Sequence, residues 1–415
     1  MRRIPSSDHG HRGRPDRPRV GETTLASLDR LRPELAPTLR YVIATWTGFT
    51  VLLAALVVLL PLRLSQLGYG VDATSAVIGA AGVGGVLSAD LIGRAASRSG
   101  PVRLIRAGLA TIVLSVIGLG LSPHLVVLLA LNTLVGVGTS ALRVGSQLLV
   151  RTNVAASHRG RIHGSQGATN RLTMLLAPVV VGLLWERMGP AAGFALPAAA
   201  GTLMLAVAGR PETVVGVGAA EGRSIGVPLG EMVRYSAGPI LFQAARAGRL
   251  LVLPLVGLAL DLSPVRIGLL VGLSAAADVL VSPVSGFLMD SRGRLWTITP
   301  SFTLMAGGFV LLALAQQGWV VGAAAVVLGV GNGFSSGLLL TLGTDLAPAG
   351  NEGPFLGRFG ALSDIGKLVG PFLVGLLGET LGLSAAAFSL AVVTLIGLGL
   401  LVGLVGETKP RPIVG

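Results

Sequence analysis

The chain has 415 residues, of which 52% are hydrophobic and only 12% charged, with a mean hydropathy of +0.77. A soluble domain of that length does not tolerate so apolar a composition, which excludes water-soluble folds and predicts a polytopic membrane protein. Cysteine is absent, so disulfides, thiolate metal sites and cysteine nucleophiles are excluded as well.

The net charge of +13 raises nucleic acid as a partner, and the distribution of the basic residues argues against it. Eight of the 32 Lys and Arg lie in the first 36 residues, and fifteen fall in alternate loops and the C-terminal tail. The intervening loops carry three, Arg63, Arg187 and Arg266. That asymmetry is the positive-inside signal and predicts that both termini are cytoplasmic. Only Lys367 and Lys409 are lysines, the usage of a GC-rich bacterial genome, so the expected location is a bacterial inner membrane.

Residues 1–36 are rich in Arg, Pro and Gly and lack the apolar core of a signal peptide. They read as a disordered cytoplasmic tail, in which Leu25, Leu28 and Leu31 leave open a short interfacial helix. Six hydrophobic segments follow at about 38–62, 72–93, 104–122, 125–149, 164–186 and 190–208, each near the roughly 20 residues that cross a bilayer. A polar stretch over 209–238 reads as a cytoplasmic linker. Six more segments fall at about 239–261, 266–287, 296–316, 319–342, 358–379 and 383–405, ahead of a short tail over 407–415.

The two sets are one unit written twice. Pro61 and Pro254, Gly79 and Gly272, Gly93 and Gly286, the Gly136–Gly138 and Gly329–Gly331 triplets, and Pro178 and Pro371 are all 193 residues apart. A constant register over such a distance marks an internal duplication. With an even number of spans per copy, bundles 37–208 and 239–406 have the same orientation, and parallel repeats of this kind place a site between them near the midplane. Most of the 61 glycines are explained by close helix packing in lipid.

The loop after the eighth segment carries Gly286, Asp290, Gly293 and Arg294 at the spacing G-x3-D-x2-G-R. Its earlier counterpart has Gly93 and Arg98, with Ser97 where the acid is expected. With Gly370-Pro371 in span eleven and Asn132 through Gly138 in span four, these residues resemble the major facilitator superfamily, in particular its twelve-span drug/proton efflux branches. In span four Asn132 stands where those branches carry the arginine linked to proton coupling, and in span five Ala177 stands where they carry a glycine before Pro178. The resemblance implies an all-α membrane protein of twelve transmembrane helices in two parallel six-helix repeats. It further implies a monomer that moves a small-molecule substrate by alternating access, with protons and membrane lipid as partners. It calls for no cofactor, metal or catalytic constellation. In that architecture spans two and eleven face each other, as do five and eight.

A carboxylate at the cytosolic end of a span can accept from the exposed amides of a facing helix N-terminus. Asp290 is therefore a candidate latch in a cytoplasmic gate with Gly93, Arg98, Gly286, Gly293 and Arg294; an ordinary charged loop residue is the other reading. Eight ionisable residues fall inside expected spans: Asp90, Arg143, Arg171, Arg246, Arg249, Asp278, Asp364 and Lys367. Each costs roughly 2.5–3.5 kcal/mol at the centre of a lipid-facing helix, so they should face protein or water. Arg171 and Asp364 occupy equivalent positions in the two copies, which makes Asp278, Asp364, Arg171 and Lys367 candidates for proton coupling or a charge switch. The expected pairs are Arg171 with Asp278, and Asp364 with Lys367 or Arg143. Arg143, Arg246, Arg249, Trp46, Asn170, Gln243 and Asn332 are candidate substrate contacts. The surplus of cations leaves an anionic substrate open, as it does protein partners or Arg246 reaching the interface. Efflux of a small organic molecule against protons is the leading expectation. Import of an anionic metabolite and a non-transporting sensor or lipid-handling protein stand as alternatives.

Overall fold

The computed structural model describes residues 36–154, 156–207, 228–348 and 352–408. The first half forms α1 (Ala36–Gln66), α2 (Val71–Ser99), α3 (Pro101–Leu121), α4 (Leu125–Asn153), α5 (Ala156–Met188) and α6 (Pro190–Val207). The second forms α7 (Leu229–Ala259), α8 (Pro264–Ser291), α9 (Leu295–Ala313), α10 (Gly318–Phe334), α11 (Leu338–Leu346), α12 (Glu352–Asp364), α13 (Gly366–Thr380) and α14 (Leu383–Leu400). A π turn, Leu401–Val405, continues α14.

Among the described residues, eleven stretches are long and apolar enough to cross a bilayer, counting α10 with α11 and α12 with α13 as single crossings. The twelfth is α6, whose 18 residues reach roughly 27 Å at 1.5 Å per residue. Lipid offers no hydrogen bonds to a bare backbone, so helices that satisfy their own amides are the structures that such apolar runs form.

Span ten, expected to be continuous, is broken between α10 and α11. Gly337 sits there at φ +79, a left-handed conformation that glycine adopts without steric cost. The carbonyl of Phe334 freed by the break accepts from the Ser285 hydroxyl of α8 at 2.6 Å. α7 begins at Leu229, so 229–238, expected in the linker, is helix. Hydropathy marks where a chain enters lipid and not where its helix ends; Arg234 in this extension donates from Nε to the Leu404 carbonyl at 3.0 Å. The rest of the linker and the tail over 1–35, with its candidate interfacial helix, lie outside the described residues.

The duplication is visible in the packing. A Cβ on Gly136 of α4 would overlap the Ala81 carbonyl of α2, and one on Gly329 of α10 would overlap the Ser274 carbonyl of α8. Ala81 and Ser274 are themselves 193 residues apart. Gly138 approaches the Gly108 carbonyl of α3 in the same way that Gly331 approaches the Ser301 carbonyl of α9. Only a residue without a side chain permits backbones to meet this closely.

Between the bundles α2 lies against α13 and α5 against α8, the two pairings expected. They close at the end that carries the loops 67–70 and 260–263. There Gly182 packs on the Pro264 carbonyl and Gly375 on Ser75. Toward the basic loops, Gly93 of α2, Gly164 and Gly167 of α5, Gly286 of α8 and Gly357 and Gly360 of α12 have open space where a side chain would sit. The halves thus meet at the far end, where glycines of one bundle pack on the other.

Candidate functional site

Small residues set the geometry of the polar centre. Gly366 lies against the Ile240 carbonyl of α7 and Gly370 against that of Ala244, which draws span eleven onto span seven and brings Asp364 to Gln243. The Asp364 carboxylate accepts from Lys367 Nζ at 2.6 Å and from Arg143 Nη1 of the other bundle at 3.5 Å. Gln243 Nε2 adds a donor at 3.4 Å, and its own carbonyl oxygen accepts from Arg246 Nη1 at 3.2 Å. Both expected partners of Asp364 are therefore engaged at once. The network runs from Arg143 of α4 through Asp364 at the end of α12 to the middle of α7.

Asp278 is arranged differently. Gly333 of α10 packs on its backbone carbonyl, which places Asn332 to donate from Nδ2 to the carboxylate at 2.7 Å. Ser282 donates to the same carboxylate at 3.2 Å. These contacts lie within one bundle. The Arg171–Asp278 bridge is not among the ion pairs of the described residues; Arg171 Nη2 donates instead to the Ser336 hydroxyl at the α10–α11 break. The register explains the partner, because Ser336 is the residue equivalent to Arg143, as Arg171 is to Asp364. One contact between the halves occurs twice, once as an ion pair and once as a guanidinium on a hydroxyl.

Arg249 is buried, donates from Nη1 to Ser274 at 2.7 Å, and leaves its Nε without a partner. Arg246 lies within electrostatic reach of Asp278, Asp364 and Arg171, with its guanidinium carbon 5.9 Å from the Phe242 ring centroid. Counted from residue 239, where the apolar part of α7 begins, Arg246 and Arg249 lie about 10 and 15 Å into the span at 1.5 Å per residue. Trp46 is partly buried; its indole donates to the Gln166 carbonyl at 3.1 Å, and Asn170 is exposed. Asn132 is buried and donates to the Val77 carbonyl at 2.6 Å, stapling α4 to α2. Asp90 belongs elsewhere, in an exposed pair with Arg94 at 3.0 Å.

At the basic end Asp290 is not seated on a helix N-terminus: its side chain is 87% exposed, 3.9 Å from Arg294. Arg98 is likewise exposed. The capping acid is Glu407, which accepts from the backbone amides of Arg294 at 2.8 Å and Leu295 at 3.0 Å. Gly293, at φ +117, leaves room for that carboxylate. Arg294 itself forks onto Asp345 at 2.8 and 3.3 Å. The Asp345 carboxylate hydrogen-bonded to it holds the guanidinium above its usual pKa.

Sequence reasoning missed a second set of contacts at the far end. Glu379, closing α13, accepts from the Val71 amide of α2 at 3.1 Å, and Glu186, closing α5, accepts from the Val265 amide of α8 at 3.1 Å. Each carboxylate caps a helix of the opposite bundle. The signal was present: Glu186 and Glu379 are 193 residues apart.

Two parallel helical bundles closed over a charged centre define the class: a polytopic carrier fold. The model of the Major Facilitator Superfamily matches residues 41–242 and 236–414, and the chain belongs to that family. Among solved structures, the nucleoside transporter NupG aligns with 89% of this chain and 100% of its own, at a TM-score of 0.72 and 12% identity, a likeness of fold. The tetracycline resistance protein, class H, of Pasteurella multocida is 29% identical over 112 residues, 27% of this chain and 28% of that protein. The staphyloferrin B transporter of Staphylococcus aureus is 30% identical over 160 residues, 37% and 38% of the two chains. The aligned stretches thus span well under half the length of either relative.

Proposed function

We propose that the protein is a secondary active transporter of a bacterial inner membrane, with its basic face in the cytoplasm, that works by alternating access and exports a small organic molecule in exchange for protons. The observation that carries the reading is Asp364, an acid that holds Arg143 across the two bundles. A proton on Asp364 cancels its attraction for Arg143 and leaves that guanidinium facing the Lys367 ammonium, which favours separation of the halves at this point. Likeness to a tetracycline resistance protein supports export. The cationic surplus of the centre favours a second reading, import of an organic anion by symport or uniport.

Purified protein in sealed liposomes, assayed for substrate flux with and without an imposed pH gradient, separates the two. Export against protons requires flux that follows the gradient in the antiport direction, with Asp278→Asn and Asp364→Asn each abolishing it while inserting normally. Flux indifferent to the gradient, or unchanged in both variants, removes the proton-coupled reading. Ligand binding without flux would instead favour a sensor.

A further inference from the structure

We infer that the cargo is an organic anion bearing at least two negative charges, held between Arg171 of one bundle and Arg246 and Arg249 of the other. The inference rests on the charged centre between the bundles being the transport site and deepens that reading by assigning its chemistry.

The charge census carries it. With Asp90 at the surface beside Arg94, the centre holds five cations, Arg143, Arg171, Arg246, Arg249 and Lys367, against Asp278 and Asp364, a surplus of three. Asp364 is taken by Arg143 and Lys367. The Asp278 carboxylate is hydrogen-bonded by Asn332 and Ser282. Arg171, Arg246 and Arg249 form no ion pair among the described residues; their hydrogen bonds go to the neutral Ser336, Gln243 and Ser274.

Asp278, within electrostatic reach of both Arg246 and Arg249, offsets one of these three charges and leaves two that are costly without an anion. Arg246 and Arg249 are one helical turn apart, a like-charge spacing that repels, and Arg171 lies within electrostatic reach of Arg246 from the opposite bundle. Arg249 is only 8% exposed, and its Nε has no acceptor, which a protein polar group would ordinarily supply. Guanidinium presents a planar fork of donors matched to carboxylate and phosphate oxygens. A monoanion would leave one of the two remaining charges uncompensated, whereas a dianion or trianion quenches the repulsion and joins the bundles through the cargo. A cationic or neutral cargo does neither.

The test is binding to the purified full chain in detergent, without a gradient, read as a shift in thermal unfolding with citrate, succinate, butyrate, glycerol phosphate and tetraphenylphosphonium as probes. Citrate or succinate should stabilise more than butyrate if the groups recognised are carboxylates, and glycerol phosphate more than either if they are phosphate. Arg171→Gln and Arg246→Gln should each weaken the favoured anion about tenfold or more, the scale of one charge-assisted hydrogen bond. Arg171→Lys and Arg246→Lys, which keep the charge and the fold, should recover part of the loss. Stabilisation by tetraphenylphosphonium alone, or wild-type anion affinity in both glutamine variants, overturns the assignment. Anion binding without flux in liposomes would sink the transport reading and leave this one standing, while proton-driven flux of cations would do the reverse.

Discussion

Replacing Asp364 with Asn tests the interface between the bundles most directly. The Lys367 contact at 2.6 Å is a turn within one span and persists however the halves move. The Arg143 contact at 3.5 Å crosses them and exists in this conformation. Its side chains are 45% and 31% exposed, so the pair is partly solvated and contributes about 1 kcal/mol rather than the several of a buried one. Removing it should move the equilibrium about fivefold away from this conformation, on the scale where 1.4 kcal/mol is tenfold. Asn also leaves Arg143 and Lys367 facing each other without an anion, which acts in the same direction. The chain has no cysteine, so Gly93→Cys and Gly357→Cys, both at positions with open space, can carry spin labels without other substitutions. Distance distributions across the basic end should gain a longer population in Asp364→Asn. Acidified wild-type protein should move the same way, with no further change in the variant. An unaltered distribution, or a shift to shorter distances, would refute the proposal that this acid draws the two halves together.

The remaining predictions concern the scaffold. Asp345→Ala strips the partner from Arg294, a pair 11% and 12% exposed, and should cost about 3 kcal/mol in thermal unfolding, the low end for breaking a buried pair. Asp290→Ala, removing a carboxylate 87% exposed, should stay within about 0.5 kcal/mol of wild type. Gly329→Val drives a side chain into the Ser274 carbonyl and should cost at least about 1–3 kcal/mol, whereas Gly399→Ala, in open space, should not destabilise; melting in detergent compares them. The double variant Glu186→Gln, Glu379→Gln loosens both far-end caps, so the buried Ser75, changed to Cys, should react faster with an impermeant maleimide added from that side. Unchanged reactivity would show that the caps do not hold that end shut.

Much of the fold was legible because duplication writes the same physical constraint twice. Glycines that must admit a neighbouring backbone, such as Gly136 and Gly329, and prolines such as Pro61 and Pro254 recur at a fixed offset, whereas interchangeable apolar residues need not. The register also indicates which spans correspond, and the family's architecture indicates which face each other. Neither fixes the height or rotation of each helix. Asp278 was expected to meet Arg171, yet Gly333 turns α10 onto that face of α8 and satisfies the acid within its own bundle. Asp290 was expected to cap a facing helix, and whether it does depends on how far apart the halves stand, which a sequence does not record. The far-end caps were overlooked because Glu186 and Glu379 lie at span ends, where a charged residue is unremarkable unless the offset is applied to it.

The contacts between the bundles come in pairs related by the repeat, and the pairs differ in how alike their members have stayed. At the far end both copies keep glutamate on a backbone amide, so the two halves resist opening in the same way. At the centre the copies have diverged: Asp364 meets Arg143, while the equivalent Arg171 meets Ser336. A hydroxyl does not titrate in the physiological range and does not neutralise a guanidinium. One member of the central pair can therefore be released by a proton, and the other keeps an uncompensated positive charge that an anion can satisfy. On the proposed reading, proton and cargo act on opposite copies of one ancestral contact and in opposite senses, the proton releasing the halves and the anion drawing them together. If so, coupling would need no pathway between distant sites, because both ligands would address the single seam between the bundles.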